Sequence, residues 1–110
     1  MHNKKVLILG LARSGYSAAL TLNKLNNEVV VNDYNTEEKL NKEQINELKK
    51  LNIKCIFGNH PDNLLDNSFD YLIKNPGIRN DHKYVLKARK LGIPVINVVE
   101  LDYNFLPKDV

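Results

Sequence analysis

Apolar runs of strand length alternate along this chain with stretches whose apolar residues recur at helical spacing. Five runs read as strands: residues 6–9, 28–32, 54–57, 71–74 and 95–98. Their centres are nearly continuous aliphatic sequence, as in Val29-Val30-Val31, which suits strands covered on both faces. The third run is broken by Lys54 and reads as an edge strand. Between the runs, residues 14–25 place Ala18, Leu22 and Leu25 on one helical stripe. Thr36, followed by Glu37 and Glu38, is the expected N-cap of a second helix with Ile45, Leu48 and Leu51 on its inner side. Asp81 is the expected cap of a third, in which Val85, Ala88 and Leu91 align before the stop signals Gly92 and Pro94. A short helix is expected over 61–65, after the turn Gly58-Asn59-His60-Pro61.

This alternation predicts an α/β, Rossmann-like three-layer domain. Its five-stranded parallel sheet should run in the order 3-2-1-4-5, with right-handed crossovers and helices on both faces. The domain is expected to span 1–98. Residues 99–110 lack strong periodicity, carry Pro107, and read as a linker toward a further domain.

Ligands of such sheets bind beyond the carboxyl ends of the strands, where the strand order reverses. Here that place lies between strands 1 and 4, so three segments converge on it: Gly10 to Gly15, Asp33, and Asn75-Pro76-Gly77. The first is a strand–turn–helix junction. Gly10 can make the tight turn, Gly15 lets the helix pack closely, and the free N–H groups of the helix start can receive a phosphate. The turn reads Gly-x-Ala-x-x-Gly, with Ala12 where a dinucleotide site has its middle glycine. Tyr16 and Ser17 follow Gly15 where a P-loop needs Lys and Ser or Thr, so this turn is no Walker motif. Asp33 can bind a ligand hydroxyl, or fold back on its own backbone as a turn residue. Asn75-Pro76-Gly77 can face the crevice, or form a plain turn in which Gly77 supplies a positive φ. Ser14 can donate to a phosphate, cap its helix, or do both. Arg13 reads first as a solvated turn residue that could add charge near a phosphate.

At 110 residues the chain has the size of one domain with one core. The net charge of +3 does not mark a nucleic-acid patch. The lysines are interleaved with acids, as in Glu37-Glu38-Lys39, and aromatics do not alternate with them. No run approaches the ~20 apolar residues of a membrane span. Neither nucleic acid nor membrane is an expected partner. Met-His-Asn-Lys-Lys leads into the first strand without a cleavage pattern, and Cys55 is the single cysteine. A cytoplasmic location is the default. His2, His60 and His82 form no ligand spacing, so no metal site is expected. With no nucleophile elbow and no paired carboxylates, the domain reads as a binding module.

Gly10-Leu11-Ala12-Arg13-Ser14-Gly15, Asp33, Gly58-Asn59-His60-Pro61, Asn75-Pro76-Gly77-Ile78 and Gly92-Ile93-Pro94-Val95-Ile96 through Glu100-Leu101 occur in this order. Together they resemble the N-terminal domain of the MurD ligase family, which adds D-glutamate to UDP-N-acetylmuramoyl-L-alanine in peptidoglycan synthesis. The resemblance covers nearly the whole chain. It implies a three-domain, ATP- and Mg-dependent ligase whose N-terminal domain holds the UDP part of the acceptor. By that resemblance the backbone around Arg13 and Ser14 meets the diphosphate, and Asp33 and the Tyr34 amide meet the uracil. Asn75, Pro76 and Gly77 line the uridine and sugar side, while Gly10 and Gly15 shape the turn. The implied partners are UDP-N-acetylmuramoyl-L-alanine and the central and C-terminal domains of the same chain, and the expected state is a monomer. Two positions depart from the family: Asn75 stands where Ser is frequent, and Tyr34-Asn35 where some members have Thr and Arg. The family's ATP loop, metal-binding acids and amino-acid site are absent from these residues, which are therefore expected to bind but not to ligate. An NAD(P)-binding domain and a non-binding scaffold stay open as alternatives on the residues alone.

Overall fold

In the computed structural model, which describes residues 2–100, β1 (Lys5–Leu9) runs through the middle of the molecule. Four of its side chains, Val6 to Leu9, are at most 1% exposed. Alternation along a strand sends Val6 and Ile8 to one face and Leu7 and Leu9 to the other, so both faces need covering. Around it lie β2 (Glu28–Asp33), β3 (Lys54–Phe57), β4 (Tyr71–Lys74) and β5 (Val95–Asn97), in the order β3-β2-β1-β4-β5. All pairings are parallel, with Leu7 opposite Val30 on one side and Leu72 on the other. Order, direction and strand positions agree with the pattern of apolar runs. The last strand is one residue shorter than expected, because Val98 opens a 3-10 turn over Val98–Glu100.

The two faces are covered differently. α1 (Arg13–Lys24) and α2 (Lys42–Lys50) contribute Ala18, Ala19, Leu22, Ile45 and Leu48 to one core. On the opposite face α3 (Lys83–Leu91) contributes Tyr84, Val85 and Ala88, with Ile93 after it, and further cover comes from Leu65 and Phe69. Those two lie in the β3–β4 connection, where the expected helix over 61–65 does not form. Isolated turns replace it, closed by bonds from Leu64 N–H to the Pro61 carbonyl and from Phe69 N–H to that of Asp66. Five residues are too few for a helix to repay its nucleation, and burying two large side chains covers the face instead.

Helix starts differ from expectation in three places, each for a local reason. α1 begins at Arg13 with Ala12 in the cap position and no side-chain cap, so Ser14 lies inside the first turn. Thr36 precedes only a 3-10 turn over Glu37–Lys39 and caps nothing with its side chain. α2 starts later, where the side-chain oxygen Oδ1 of Asn41 accepts from Gln44 N–H at 3.1 Å. Leu40 and Ile45, which flank that cap, pack in one core cluster, so a polar cap and an apolar staple act together. Asp81 is drawn into an ion pair with Arg79, at 2.9 and 3.1 Å, and His82 caps α3 by accepting from Tyr84 N–H. Leu51 and Leu91, expected inside, are each 38% exposed at helix ends. Of the expected linker only Val99 and Glu100 are described, both in the final 3-10 turn, and Pro107 lies outside the described residues.

Candidate functional site

A crevice of about 560 Å³ opens at the carboxyl ends of β1, β2 and β4, where the strand order reverses. Its walls include Gly10, Leu11, Ala12, Asp33, Tyr34, His60, Asn75, Gly77 and Ile78. A smaller hollow of about 310 Å³, near Lys5, Lys54 and Phe69, does not involve these loops.

The β1–α1 turn is shaped by two close approaches. Gly10 has φ +98°, and a Cβ there would stand 2.9 Å from Asn75 Nδ2. A Cβ on Gly15 would stand 2.3 Å from the Gly10 carbonyl oxygen, which is backbone and cannot swing aside. Any side chain at position 15 would therefore push α1 away from the turn. With α1 in place and uncapped, the N–H groups of Arg13, Ser14 and Gly15 precede the first intrahelical bond, from Tyr16 N–H to the Ala12 carbonyl. Arg13 and Ser14 are exposed at the helix start, beside the crevice walls rather than in them.

Asp33 realises the turn reading and adds a brace. One carboxylate oxygen accepts from Asn35 N–H at 2.9 Å, closing a turn on its own backbone, and the other accepts from Leu11 N–H at 2.7 Å. The β2 end is thereby fastened to the first turn. Asn75 does the same from the other side, its amide donating to the Gly10 carbonyl at 3.1 Å. The Asn75–Ile78 turn closes through Ile78 N–H to the Asn75 carbonyl at 3.0 Å. Of the two readings of this turn, the one in which Gly77 supplies a positive φ does not hold: left-handed glycines are Gly10, Gly58 and Gly92. Pro76 fixes the first central φ, and the turn needs no left-handed residue after it. Gly77 instead leaves open space, with nothing within 4 Å of where a Cβ would be. Pro76 itself is exposed outside the walls.

Three residues at the site escaped the sequence reading. Asn32 is fully buried at the end of β2, and its amide nitrogen donates to the carbonyls of Ile56 and Asn59 at 2.8 and 2.9 Å. Its oxygen lies 2.5 Å from His60 Nδ1, which places His60 on the crevice wall. Burial pushes the His60 pKa below the ordinary value, helped by the nearby His82 and Lys83 and opposed by Asp33. His82 shifts down for the same first reason, with Lys83 adding to it. Tyr84, which bonds the Pro61 carbonyl behind this turn, is pushed up to about 12 by burial and then by the Asp62 charge. The third residue is Lys74, 5% exposed at the end of β4, whose ammonium donates to the Ile78 carbonyl at 3.1 Å and shapes the same turn from below. A sequence signal existed for Asn32 and Lys74: each is a polar residue ending an aliphatic run, where burial demands a partner.

The arrangement is suited to holding a ligand. Asp33 spends one oxygen on each of two backbone N–H groups, which suits a brace more than a proton carrier. Backbone N–H groups, an open glycine and an aromatic edge border a slot bounded by three strand ends.

The sequence matches the family described as Mur ligase MurD-like, N-terminal domain, over residues 4–97. The chain belongs to this family. The UDP-N-acetylmuramoylalanine--D-glutamate ligase of Enterococcus hirae is 51% identical over 101 residues, which is 92% of this chain and 22% of that protein. The ligase of the same name from Listeria monocytogenes serotype 4b is 50% identical over 103 residues, 94% of this chain and 22% of that protein. Among solved structures, the UDP-N-acetylmuramate-alanine ligase MurC of Thermotoga maritima matches with a TM-score of 0.65 at 27% identity, over 88% of this chain and 21% of that one. The chain thus spans 22% of the length of the curated relatives it matches. The MurD-like family assignment accounts for the α/β architecture and for the order of the glycine-bearing turns. Among the described residues no helix is long and apolar enough to cross a membrane.

Proposed function

We propose that this MurD-like domain binds the uridine diphosphate part of UDP-N-acetylmuramoyl-L-alanine for an ATP-dependent ligase that adds D-glutamate to it. The observation that carries the reading is the crevice at the strand-order reversal, clamped by Asp33 on Leu11 and by Asn75 on Gly10 beside the uncapped start of α1. The backbone at Arg13 and Ser14 would receive the diphosphate, where helix N–H groups favour an anion. Asp33 and the Tyr34 amide would meet the uracil. Asn75, Pro76 and Gly77 would line the uridine and sugar, with Gly77 leaving room for them.

ATP and Mg do not fit the residues present. The Gly10 to Gly15 turn lacks the lysine a triphosphate loop needs, and among the described residues no three His, Cys, Asp or Glu side chains gather as ion ligands. Activation of the substrate carboxylate is therefore assigned to the remaining length of the ligase, and this chain alone is expected to bind without ligating. Residues 1–98 are the proposed binding unit and 99–110 the passage to the central domain. A monomeric cytoplasmic ligase completes the proposal.

A titration of the isotopically labelled chain with UDP, UDP-N-acetylmuramoyl-L-alanine and NAD tests it. Uridine compounds should shift the amides of Ser14, Tyr34 and Gly77. Binding will be weak, because a crevice that other domains help to close lacks some contacts and preorganisation. Shifts with NAD alone, or none with either uridine compound, would overturn the reading.

A further inference from the structure

We propose that His60 is a positioning residue for the nucleobase: held by the buried Asn32, its imidazole backs the Tyr34 ring, which forms the wall a flat heteroaromatic base packs against. This rests on the nucleotide reading above and assigns a part to a residue that reading leaves idle.

Asn32 sets the direction of the imidazole. Its amide nitrogen faces two carbonyl oxygens, those of Ile56 and Asn59, so a flipped amide would set oxygen against oxygen twice. The remaining oxygen can only accept. His60 Nδ1, 2.5 Å away, must therefore carry the proton and donate it, which fixes both tautomer and ring direction. The backbone of the same turn is pinned from α3. Tyr84 Oη donates to the Pro61 carbonyl at 2.6 Å, and the Lys83 ammonium donates to the His60 carbonyl. His82 and Tyr84 meet the imidazole edge-on, with ring centroids 4.7 and 5.4 Å from it. A loop residue is thus held from β2 and from α3 at once.

Tyr34 is the opposite case. It is 70% exposed at the crevice rim, and its ring contact among the described residues is with His60, at 5.6 Å and tilted by 39°. An unsupported surface tyrosine samples several rotamers, and ordering it would weaken binding. Against a fixed imidazole the ring is placed beforehand, as a rigid aromatic anchor at small entropic cost. Packing the turn alone would not require the imidazole to reach the crevice wall or to touch Tyr34; the observed ring does both.

Two substitutions separate the parts. His60→Asn keeps an N–H donor at the same distance from the backbone, so Asn32 stays paired, but removes the ring. Tyr34→Ala removes the wall. Tyr34→Ala should weaken UDP binding by about tenfold, the usual effect of losing one base–aromatic contact. His60→Asn should weaken it by about three- to tenfold, with the Tyr34 ring resonances moving toward those of a free tyrosine. The double variant should bind UDP no worse than Tyr34→Ala alone, within about twofold. Inorganic pyrophosphate, which has no base, should bind all three proteins as it binds the parent. In the parent, dipolar contacts between the His60 and Tyr34 rings should persist with UDP bound, a check that needs no substitution. Additive losses, an equal loss for pyrophosphate, or disappearance of the ring contact on binding would overturn the inference while leaving the nucleotide reading intact. Failure of UDP to bind the parent would overturn both.

Discussion

The two walls of the crevice are made of different material. On the β1 and β4 side Gly10, Ala12 and Gly77 present little or no side chain between Leu11 and Ile78, and Asn75 is occupied in holding the Gly10 carbonyl. On the β2 and β3 side the surface is rings, with His60 anchored on Asn32, supported by His82 and Tyr84, and topped by Tyr34. At Gly10 and Gly15 the first wall tolerates no added atoms, because a Cβ there would meet the Asn75 amide at 2.9 Å or the Gly10 carbonyl oxygen at 2.3 Å. The second tolerates none removed, because its shape is a stack of groups each held by the next. A methyl added at Gly15 and a hydrogen bond deleted at Asn32 should therefore act on opposite sides.

The largest effect is expected at Gly15. In Gly15→Ala the new methyl meets a backbone oxygen at 2.3 Å, and relief requires α1 to move off a core that includes Ala18, Ala19 and Leu22. Overpacking of this kind should cost about 3 kcal/mol, seen as a lower urea midpoint with an unchanged slope. UDP binding should be lost with it. An unchanged midpoint would mean that the glycine wall is not rigid.

Next comes the ring wall at its root. Asn32→Ala leaves two carbonyls and the His60 N–H without their partner in a buried place. The cost should be about 2 kcal/mol, with exchange protection lost first in the Gly58–Pro61 turn. Retained protection there, with an equal loss across the sheet, would show that the ring wall has no separate foundation.

How much of this could be read beforehand divides along the same line. The glycine wall is local in sequence: Gly10 and Gly15 lie within one turn of each other, and the sheet order follows from alternating runs, so topology alone places Asp33 and Asn75 beside them. The ring wall joins residues 28 positions apart, Asn32 and His60, through a hydrogen bond that no spacing rule announces. Helix caps show a finer version of the contrast. Leu40-Asn41-x-x-Gln44-Ile45 carries a cap with a flanking apolar pair and could have been preferred to Thr36. Asp81 was an equally good cap on paper. It loses the place because Arg79, two residues earlier, offers its carboxylate a charged partner, and His82 takes over.

Acid should act on the ring wall before it reaches the glycine wall. His60 and His82 both have folded pKa values below the ordinary 6.5, so the unfolded chain binds their protons more readily. Their contribution to stability is full above about pH 6.5 and is lost as pH falls through the lowered values. Cationic Lys83 lowers both pKa values, while Asp33 opposes the shift at His60 and Asp81 that at His82. Urea midpoints should fall between pH 7.5 and 5.5, and His60→Asn should reduce that slope. The lowered carboxyls of Asp62 and Asp66 act only further down, below their ordinary 3.8. A flat midpoint across this interval would mean that the imidazoles ionise freely in the folded state.

The smallest stability effect, and the sharpest control on the comparison, is expected at Gly77. It sits on the glycine wall, yet its φ is outside the left-handed region and the space a Cβ would enter is open to 4 Å. Gly77→Ala should therefore leave the fold intact or stabilise it by about 0.5 kcal/mol, since alanine restricts the unfolded chain. The same methyl would project into the space that the proposed uridine and sugar would occupy. UDP affinity should drop while the urea midpoint holds or rises, the reverse of Asn32→Ala, where stability falls first. If the midpoint falls at Gly77, the backbone there is held more tightly than the open space implies. If affinity is untouched, the ligand does not use that side of the slot, and the sugar must leave the crevice past the rings instead.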